Sequence, residues 1–388
     1  MSKHTFERIF VYKLLDQSIT TIIYYHMKPW IIKSLAIVPF LCCCTSSERS
    51  ISVVCDKSNR GDYEIKWEIY PEPANTPVYI YSSNNDSIFF DTPTVTAQSD
   101  DYIAVINMMD SLNRQYFKIK VGDYTSGVIS NRFFLLDNIQ NIRDVGGYYN
   151  SQGRQVRWNK IFRSGSLMGI GQNDQQALNN LQIKTVIDLR ARDATEVQEK
   201  SDSINYVRLP MSYSSIEMIT YKIKNERFLR GDAVIYIQDL YKDIIDNETE
   251  NMAKLFDYLC DESNYPIVYY CYFGKDQSGL ATYFLLRALD VPMEDIEDDY
   301  LASNQGIRKI LLEPDGKELS EIGQEALTLI TSTEISYLRY ALSCIRKKSG
   351  SVEEYMTKDL GLTQEKRNKL KKILLYPQNQ KDFLSIKH

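Results

Sequence analysis

The sequence predicts an α/β domain, with a central sheet flanked by helices, that is preceded by a small all-β sandwich. Three observations predict this architecture. The 388 residues are 43% apolar and 25% charged, a composition that can form one or two sizeable cores. Short segments with strand alternation and no helical stretches lie between about residues 50 and 135. From about residue 138, continuous apolar strands alternate with segments of helical periodicity.

The N-terminus is interpreted as a leader. Residues 1–26 are an upstream extension, and residues 27–44 form a segment that resembles a bacterial lipoprotein signal. In that segment an apolar run, Leu35 to Leu41, follows two lysines and is too short for a transmembrane helix, which needs about 20 residues. Cys42, Cys43 and Cys44 follow the run directly. Cys44 is the candidate lipid anchor, and the sequence leaves open which of the three carries the lipid.

This interpretation predicts a protein of the bacterial cell envelope, periplasmic or surface-exposed, that a lipid attaches to a membrane. The alternative is that the apolar run forms a buried N-terminal helix of a cytoplasmic protein. Both readings stay open at the level of the sequence.

Residues 50–135 predict the all-β sandwich, of immunoglobulin-like or fibronectin-like type. The stretch "YEIKWEIY" alternates apolar and charged side chains, so Tyr63, Ile65 and Trp67 are expected on the buried face of a strand. The stretch "YFKIKVGDYTSG" repeats the alternation and ends in turn residues. Nothing in this region indicates catalysis, so we expect a spacer or an adhesion module.

Residues 138–376 predict the α/β domain, and residues 377–388 a C-terminal tail. The stretches "TVIDLR" and "PIVYYC" are continuous apolar strands of the kind found inside parallel sheets. Helical spacing places Leu280, Phe284 and Leu285 on one face of a helix, and Leu338, Leu342 and Ile345 on one face of another.

Composition excludes several classes of function. The 46 basic and 51 acidic residues give a net charge of -5, so we expect no nucleic-acid partner. The only histidines are His4, His26 and His388, which argues against a Ser-His-Asp triad, a Cys-His pair and a histidine metal site. No C-x-x-C pair indicates zinc, so neither a metal nor another cofactor is predicted.

The stretch "VYYCYFGKDQSG", Val268 to Gly279, has the pattern of a phosphate-binding loop between a strand and a helix. Backbone amides at a helix N-terminus attract anions, and the same field, with Lys275, would favour the thiolate of Cys271. A thiolate there can attack phosphorus and form a phosphocysteine. The predicted phosphate-binding residues are Tyr272, Phe273, Gly274, Lys275, Gln277, Ser278 and Gly279.

The loop resembles the signature H-C-x-x-G-K-D-R-T-G of bacterial tyrosine-phosphatase-like enzymes, some of which act on phosphoinositides. Five further stretches resemble landmarks of that family, in the same order, over about residues 138–376. They are "NIRDVGGY", "IFRSGSL", "TVIDLR", "DDYLASN" and "GSVEEYMTKDLGLT".

The resemblance implies the cysteine-phosphatase fold, with Cys271 as the nucleophile, Lys275 as the cation of the loop and Asp276 as the acid. It also implies a catalytic role for Asp188, whose alternative role is a strand-end carboxylate that caps a turn. A phosphorylated protein or a phosphoinositide-like molecule is the implied substrate.

Two positions depart from the family. Tyr270 replaces the histidine before the cysteine, and Gln277 replaces the arginine that offers a bidentate charged fork to the phosphoryl group. We therefore expect attenuated turnover, in which Lys275, Arg190 or Arg163 partly replaces the missing charge. The alternatives are a pseudophosphatase, which binds a phosphorylated or anionic ligand without turnover, and a surface lipoprotein that acts through its sandwich.

Overall fold

The computed structural model describes residues 50–58, 60–71, 75–107, 114–194, 204–212, 216–225, 227–308 and 319–377. The expected upstream extension, the signal-like segment with Cys44 and nearly all of the C-terminal tail lie outside these residues. None of the helices within the described ranges combines the length and the apolar composition of a membrane span. The domain boundaries given above stay predictions.

Two antiparallel sheets make up the first part of the described chain, which we call the N-terminal β region (residues 50–107 and 114–130). One sheet has the strand order β1-β2-β5 and the other β4-β3-β6-β7. The strands are β1 Ser50–Lys57, β2 Tyr63–Tyr70, β3 Pro77–Ser83, β4 Val95–Gln98, β5 Ile103–Ile106, β6 Tyr116–Val121 and β7 Tyr124–Thr125.

The inward-facing residues of both sheets form one hydrophobic core. Tyr63, Ile65 and Trp67 of β2 are at most 2% exposed, which confirms the predicted alternation. Phe117 of β6 lies against Tyr63, with ring centroids 5.1 Å apart. A strand whose alternate residues are apolar needs a second layer against which to bury them, and here the second sheet provides it. The immunoglobulin or fibronectin type of this region stays a prediction.

The second part of the chain is α/β, as predicted. A five-stranded sheet has the order β11-β10-β12-β9-β8 and is parallel except for β8, which pairs antiparallel with β9. Its strands are β8 Arg143–Asp144, β9 Ile161–Ser164, β10 Thr185–Asp188, β11 Asn205–Arg208 and β12 Ile267–Tyr270. All residues of β9, β10 and β12 are buried, because elements cover both faces of the sheet.

Helices surround this sheet. They are α1 Gln172–Asn180, α2 Ile216–Lys224, α3 Arg230–Asn247, α4 Thr249–Leu259, α5 Gln277–Ala288, α6 Met293–Leu301, α7 Ser303–Gly306, α8 Glu321–Thr331, α9 Ile335–Ser349, α10 Val352–Glu354 and α11 Gln364–Leu374, with a π-helical turn at Tyr355–Asp359. The residues predicted on the apolar faces of α5 and α9 are buried. Gly350 ends α9 with φ +83°, and Ser351 caps the next helix by accepting a hydrogen bond from the backbone N–H of Glu354.

Candidate active site

The loop Cys271–Asp276 connects β12 to the N-terminus of α5, at the carboxyl end of the parallel strands. This edge is where open α/β sheets bind their ligands. Gly274 has φ +71°, and a Cβ on it would lie 2.5 Å from the carbonyl carbon of Ser164 at the end of β9. Glycine is therefore required at this position both by the backbone conformation and by the close approach of β9.

The carbonyl groups of the loop accept hydrogen bonds from neighbouring parts of the chain. Ser166 N–H donates to the carbonyl of Tyr272 at 2.9 Å. Asn141 Nδ2 donates to the carbonyls of Phe273 and Gly274 at 3.0 Å each, and Arg163 Nη2 donates to that of Gly274 at 2.9 Å. In a trans peptide the C=O and the next N–H point in opposite directions. The amides of residues 273, 274 and 275 therefore face the other side of the loop, where an anion would bind.

A buried network of charges fixes the groups that hold these carbonyls. Asp299 of α6 accepts hydrogen bonds from Arg163 Nη1 at 2.6 Å and from Arg143 Nε at 3.3 Å. Arg143 also donates to the side chain of Asn141. Burial raises the pKa of Asp299, but the charges of Arg143 and Arg163 outweigh burial and lower that pKa to about 2. Burial and the neighbouring Arg163 together lower the pKa of Arg143 to about 10.

The candidate nucleophile Cys271 is 1% exposed, and its Sγ lies 3.3 Å from Oγ of Ser278 in the first turn of α5. A hydroxyl at this distance can donate to a thiolate. Ser278 was predicted to bind phosphate, and its contact with the sulfur is an additional feature that the loop pattern did not indicate. The two side chains are seven positions apart in the sequence, and the curl of the loop brings them together.

Lys275 and Asp276 form an ion pair inside the site. Lys275 Nζ donates to Oδ1 of Asp276 at 2.7 Å, and both side chains are buried. Tyr241 of α3 donates to the same oxygen at 3.0 Å, and its hydroxyl lies 2.6 Å from that of Tyr300. Burial raises the pKa of both tyrosines, so they remain hydrogen-bond donors. These contacts fix the carboxylate that the sequence assigns as the acid.

Gln277 is the first residue of α5 and is 7% exposed, with Nε2 lying 3.4 Å from Oγ of Ser212. The carboxamide therefore lies within the site but brings no charge to it. Tyr272 forms part of the rim and is 37% exposed, whereas Phe273 is buried. Gly279 packs closely, since a Cβ there would lie 3.2 Å from Arg163 Nη2 and 3.3 Å from the ring of Tyr300.

Asp188 lies at the end of β10, directly opposite Tyr270 of β12. Arg190 donates to its carboxylate through Nε at 3.0 Å and Nη2 at 2.7 Å, and Arg208 Nη1 lies at 3.4 Å. The pKa of Tyr270 is raised, first by burial and then by the charge of Asp188. Tyr270 thus takes part in a polar cluster with Asp188 and Arg190, whose guanidinium lies 5.4 Å from the tyrosine ring.

This geometry bears on the predicted substitutes for the loop arginine. Arg163 is fully buried on the carbonyl side of the loop, and both terminal nitrogens already bind Asp299 and Gly274. It therefore has a structural role and does not face the predicted phosphate position. Arg190 is engaged with Asp188 in a two-pronged ion pair, while Lys275 belongs to the loop itself.

Sequence comparison gives a match to the tyrosine phosphatase family over residues 134–376. A protein of Cupriavidus necator that is provisionally named a tyrosine-protein phosphatase is 25% identical over 223 residues, which cover 57% of this chain and 81% of that protein.

Two solved structures are also similar. The core catalytic domain of a PP-IP phosphatase from S. cerevisiae, in complex with citrate, is 14% identical, covers 49% of this chain and 88% of that one, and has a TM-score of 0.25. TpbA of P. aeruginosa is 14% identical, covers 51% of this chain and 97% of that one, and has a TM-score of 0.19. Because both TM-scores are low, the assignment of this chain rests on the family match.

Proposed function

This chain belongs to the tyrosine phosphatase family, and from this premise we propose that it is a cysteine-dependent phosphatase with attenuated turnover. Its substrates would be phosphotyrosine or related phosphomonoesters, in a protein or in a phosphoinositide-like molecule. The main support is the loop at the N-terminus of α5. Asn141 and Arg163 donate hydrogen bonds to its carbonyls, so we expect its backbone N–H groups to face the opposite side and to bind the phosphoryl group next to Cys271.

In the first step, the thiolate of Cys271 attacks phosphorus, and the bond from phosphorus to the ester oxygen breaks. On binding, the phosphoryl group takes the place of Asp276 as the partner of Lys275, and Asp276 then carries the proton that it gives to the leaving oxygen. In the second step, water attacks the phosphocysteine, Asp276 takes the proton of the water, and the bond from phosphorus to sulfur breaks. Ser278, whose Oγ lies 3.3 Å from Sγ, can donate a hydrogen bond to the departing thiolate.

The attenuation follows from Gln277. The transferring phosphoryl group carries charge on its peripheral oxygens, and the family binds these oxygens with the charged fork of an arginine. A carboxamide offers a neutral donor with a different geometry. Lys275 is the remaining cation of the loop, and Asp276 already binds its ammonium group. Loss of one well-placed transition-state donor typically costs on the order of 10² to 10³ in rate.

We expect the purified protein to release phosphate from an aryl phosphate slowly, in a reaction that Cys271→Ser abolishes. Cys344→Ser is the matched control, because Cys344 is a buried cysteine of α9 that has no place in the loop. Phosphate release that persists in Cys271→Ser would contradict the proposed mechanism. The measurement is initial rate against substrate concentration for the three proteins.

The second candidate is a pseudophosphatase, which the neutral Gln277 favours. Orthovanadate distinguishes the two functions, because the amides that face the anion position do not depend on residue 277. Thermal stabilisation by orthovanadate without Cys271-dependent hydrolysis would favour the pseudophosphatase. If orthovanadate gives no stabilisation and no hydrolysis is seen, the loop does not bind phosphate and both functions fail. Where stabilisation is seen, Lys275→Ala should weaken it.

We also propose that the protein is a lipoprotein of the bacterial cell envelope, anchored through one of Cys42, Cys43 and Cys44, with Cys44 as the main candidate. The support is the short apolar run before the cysteines and the polar residues after them. Mass spectrometry of protein purified from its native source should find an N-terminal cysteine that carries acyl chains. An intact Met1 on protein from the soluble fraction would overturn this proposal.

A further inference from the structure

We infer that Arg114, in the N-terminal β region, is a positioning residue for the phosphate loop. This inference rests on the proposed phosphate-binding function of the Cys271 loop. It assigns to the β region a role in the active site, in place of the spacer or adhesion role that its sequence suggested.

The side chain of Arg114 leaves the β region and enters the α/β part of the chain. It lies just before β6 and is 8% exposed, and it forms an ion pair with Asp144 of β8, which is fully buried. Its Nε donates to Oγ of Ser130 at 2.9 Å, and its Nη2 donates to the carbonyl of Asn131 at 2.8 Å. All three guanidinium nitrogens are therefore bonded, and the charge is paired away from water.

Aromatic rings complete the surroundings of this guanidinium. Its central carbon lies 5.4 Å from the ring centroid of Tyr116 and 5.2 Å from those of Phe134 and Trp158. Trp158 joins the two regions independently, because its Nε1 donates to the carbonyl of Val128 at 2.8 Å. Desolvated cation–π contacts favour a fixed arginine, so the guanidinium holds Asp144 in one position.

Asp144 and Arg143 are consecutive residues of β8, and consecutive side chains of a strand point to opposite faces. The carboxylate of Asp144 binds Arg114 and also accepts from the backbone N–H groups of Gly146 and Asn159, each at 2.7 Å. Arg143 binds Asn141 and Asp299 on the other face. The two residues of β8 thus connect Arg114 of the β region to Asn141, which donates hydrogen bonds to the loop carbonyls.

β8 is a strand of only two residues beside the edge of the sheet. It pairs with Arg163 and Phe162 of β9, and on its other side Arg143 forms a β-bridge with Phe133 while the backbone N–H of Asp144 donates to the carbonyl of Arg132 at 3.0 Å. Because so short a strand has few backbone hydrogen bonds, its side-chain contacts also help to fix its position. Loss of Arg114 would leave the buried charge of Asp144 without its cation, and we expect β8 to move or to loosen. Through Asn141, this change reaches the carbonyls of Phe273 and Gly274.

The test compares Arg114→Met, which keeps an apolar stem, with Arg114→Lys, which keeps the charge. Lys66→Met is the matched control, since Lys66 pairs with Asp56 and Glu64 within the β region and is partly exposed. Two quantities are measured on the full chain: the orthovanadate affinity, and the hydrogen exchange of the amides of residues 273–275 without ligand. Denaturant unfolding is recorded separately, so that a loss of global stability can be subtracted.

We expect Arg114→Met to weaken orthovanadate binding about 5-fold or more, the lower end of typical site-to-site coupling, and to speed amide exchange in the loop. Arg114→Lys should recover part of both properties, and Lys66→Met should change neither. In an Asn141→Asp background, which removes the donor to the loop carbonyls, Arg114→Met should have little further effect. Such non-additivity indicates that both residues act along one path.

The inference would be overturned if Arg114→Met is less stable but binds orthovanadate as tightly as the unaltered protein and exchanges the loop amides at the same rate. Arg114 would then only stabilise the fold. Full additivity with Asn141→Asp would also overturn it. If Arg114→Met does not fold, Arg114→Lys and Asp144→Asn decide the same question. If the unaltered protein binds no orthovanadate, the proposed function fails, while the exchange measurement still tests the positioning role.

Discussion

Gln277→Arg should raise Cys271-dependent hydrolysis of an aryl phosphate by roughly 10²-fold in kcat/KM. The proposed nucleophile, the lysine and the proposed acid all lie in the loop, so the largest contribution that the proposed mechanism lacks is a bidentate cation for the transferring phosphoryl group. The position is suitable, because residue 277 begins α5 and its side chain lies within the site near Ser212. The carboxylate of Asp276 lies on the preceding residue and would moderate the repulsion between the new arginine and Lys275.

Two variants control for the charge and for the mechanism. Gln277→Lys adds a positive charge without the planar fork, so it should give a smaller gain than arginine does. Gln277→Arg combined with Cys271→Ser should show no gain, since no phosphocysteine can form. If Gln277→Arg folds, binds orthovanadate and shows no Cys271-dependent hydrolysis, then the acid or the substrate cleft is also lost. The pseudophosphatase function would then be the better proposal.

The local part of the site could be predicted from the sequence because its residues are consecutive. A strand, a cysteine, a glycine-containing turn and a helix determine where Cys271 lies, since the N-terminus of α5 follows directly. Gly274 belongs to the same loop, and its positive φ is a conformation that glycine adopts readily. The catalytic roles of Cys271, Asp276 and Asp188 stay predictions until activity is measured.

The supporting network could not be assigned from the sequence, although its members lie in recognised landmarks. Asn141, Arg143 and Asp299 were part of "NIRDVGGY" and "DDYLASN", but a pattern of letters does not show which charges are buried together. Arg163 illustrates the difficulty, since it was considered as a phosphate ligand and instead binds the carbonyl side of the loop. Tyr241 had no signal at all, because a tyrosine on an amphipathic helix is an ordinary core residue.

The role inferred for Arg114 escaped prediction for a different reason. The alternation of β6 correctly indicated which residues form the core of the β region, and Arg114 lies outside that strand. Its partner Asp144 is 30 positions further along the chain and belongs to another sheet. Contacts of this kind depend on how the two regions pack together. The hydrophobic periodicity of a segment indicates which of its faces is buried, but not which other segment covers that face.

Asp299→Asn should lower the free energy of unfolding by about 3–5 kcal/mol, the range typical for removal of one partner from a buried ion pair. Asp299 is 2% exposed and is shared by Arg143 and Arg163, which are both fully buried. The asparagine keeps the shape but leaves two buried guanidinium groups without their common counter-charge. Because these arginines hold Asn141 and the Gly274 carbonyl, orthovanadate affinity should fall as well.

Asp239→Asn is the matched control. Asp239 is exposed on α3, so the same chemical change there should alter stability by no more than about 0.5 kcal/mol. Urea unfolding at neutral pH measures both variants. A loss of stability in Asp299→Asn no larger than that in Asp239→Asn would contradict the network described here.

The pH dependence gives an independent check on Asp299, and its sign is set by the direction of the pKa shift. The two arginines lower the pKa of Asp299 from 3.8 to about 2 in the folded protein. The carboxylate therefore contributes its full stabilisation above the ordinary pKa near 4, and this contribution is lost as the pH falls through about 2. Asp299→Asn has no such titration, so the difference in stability between the two proteins should be constant above about pH 5 and shrink steadily below pH 4. A difference that stays constant down to pH 2 would mean that the destabilisation comes from altered packing, because the lost charge would then make no measurable contribution.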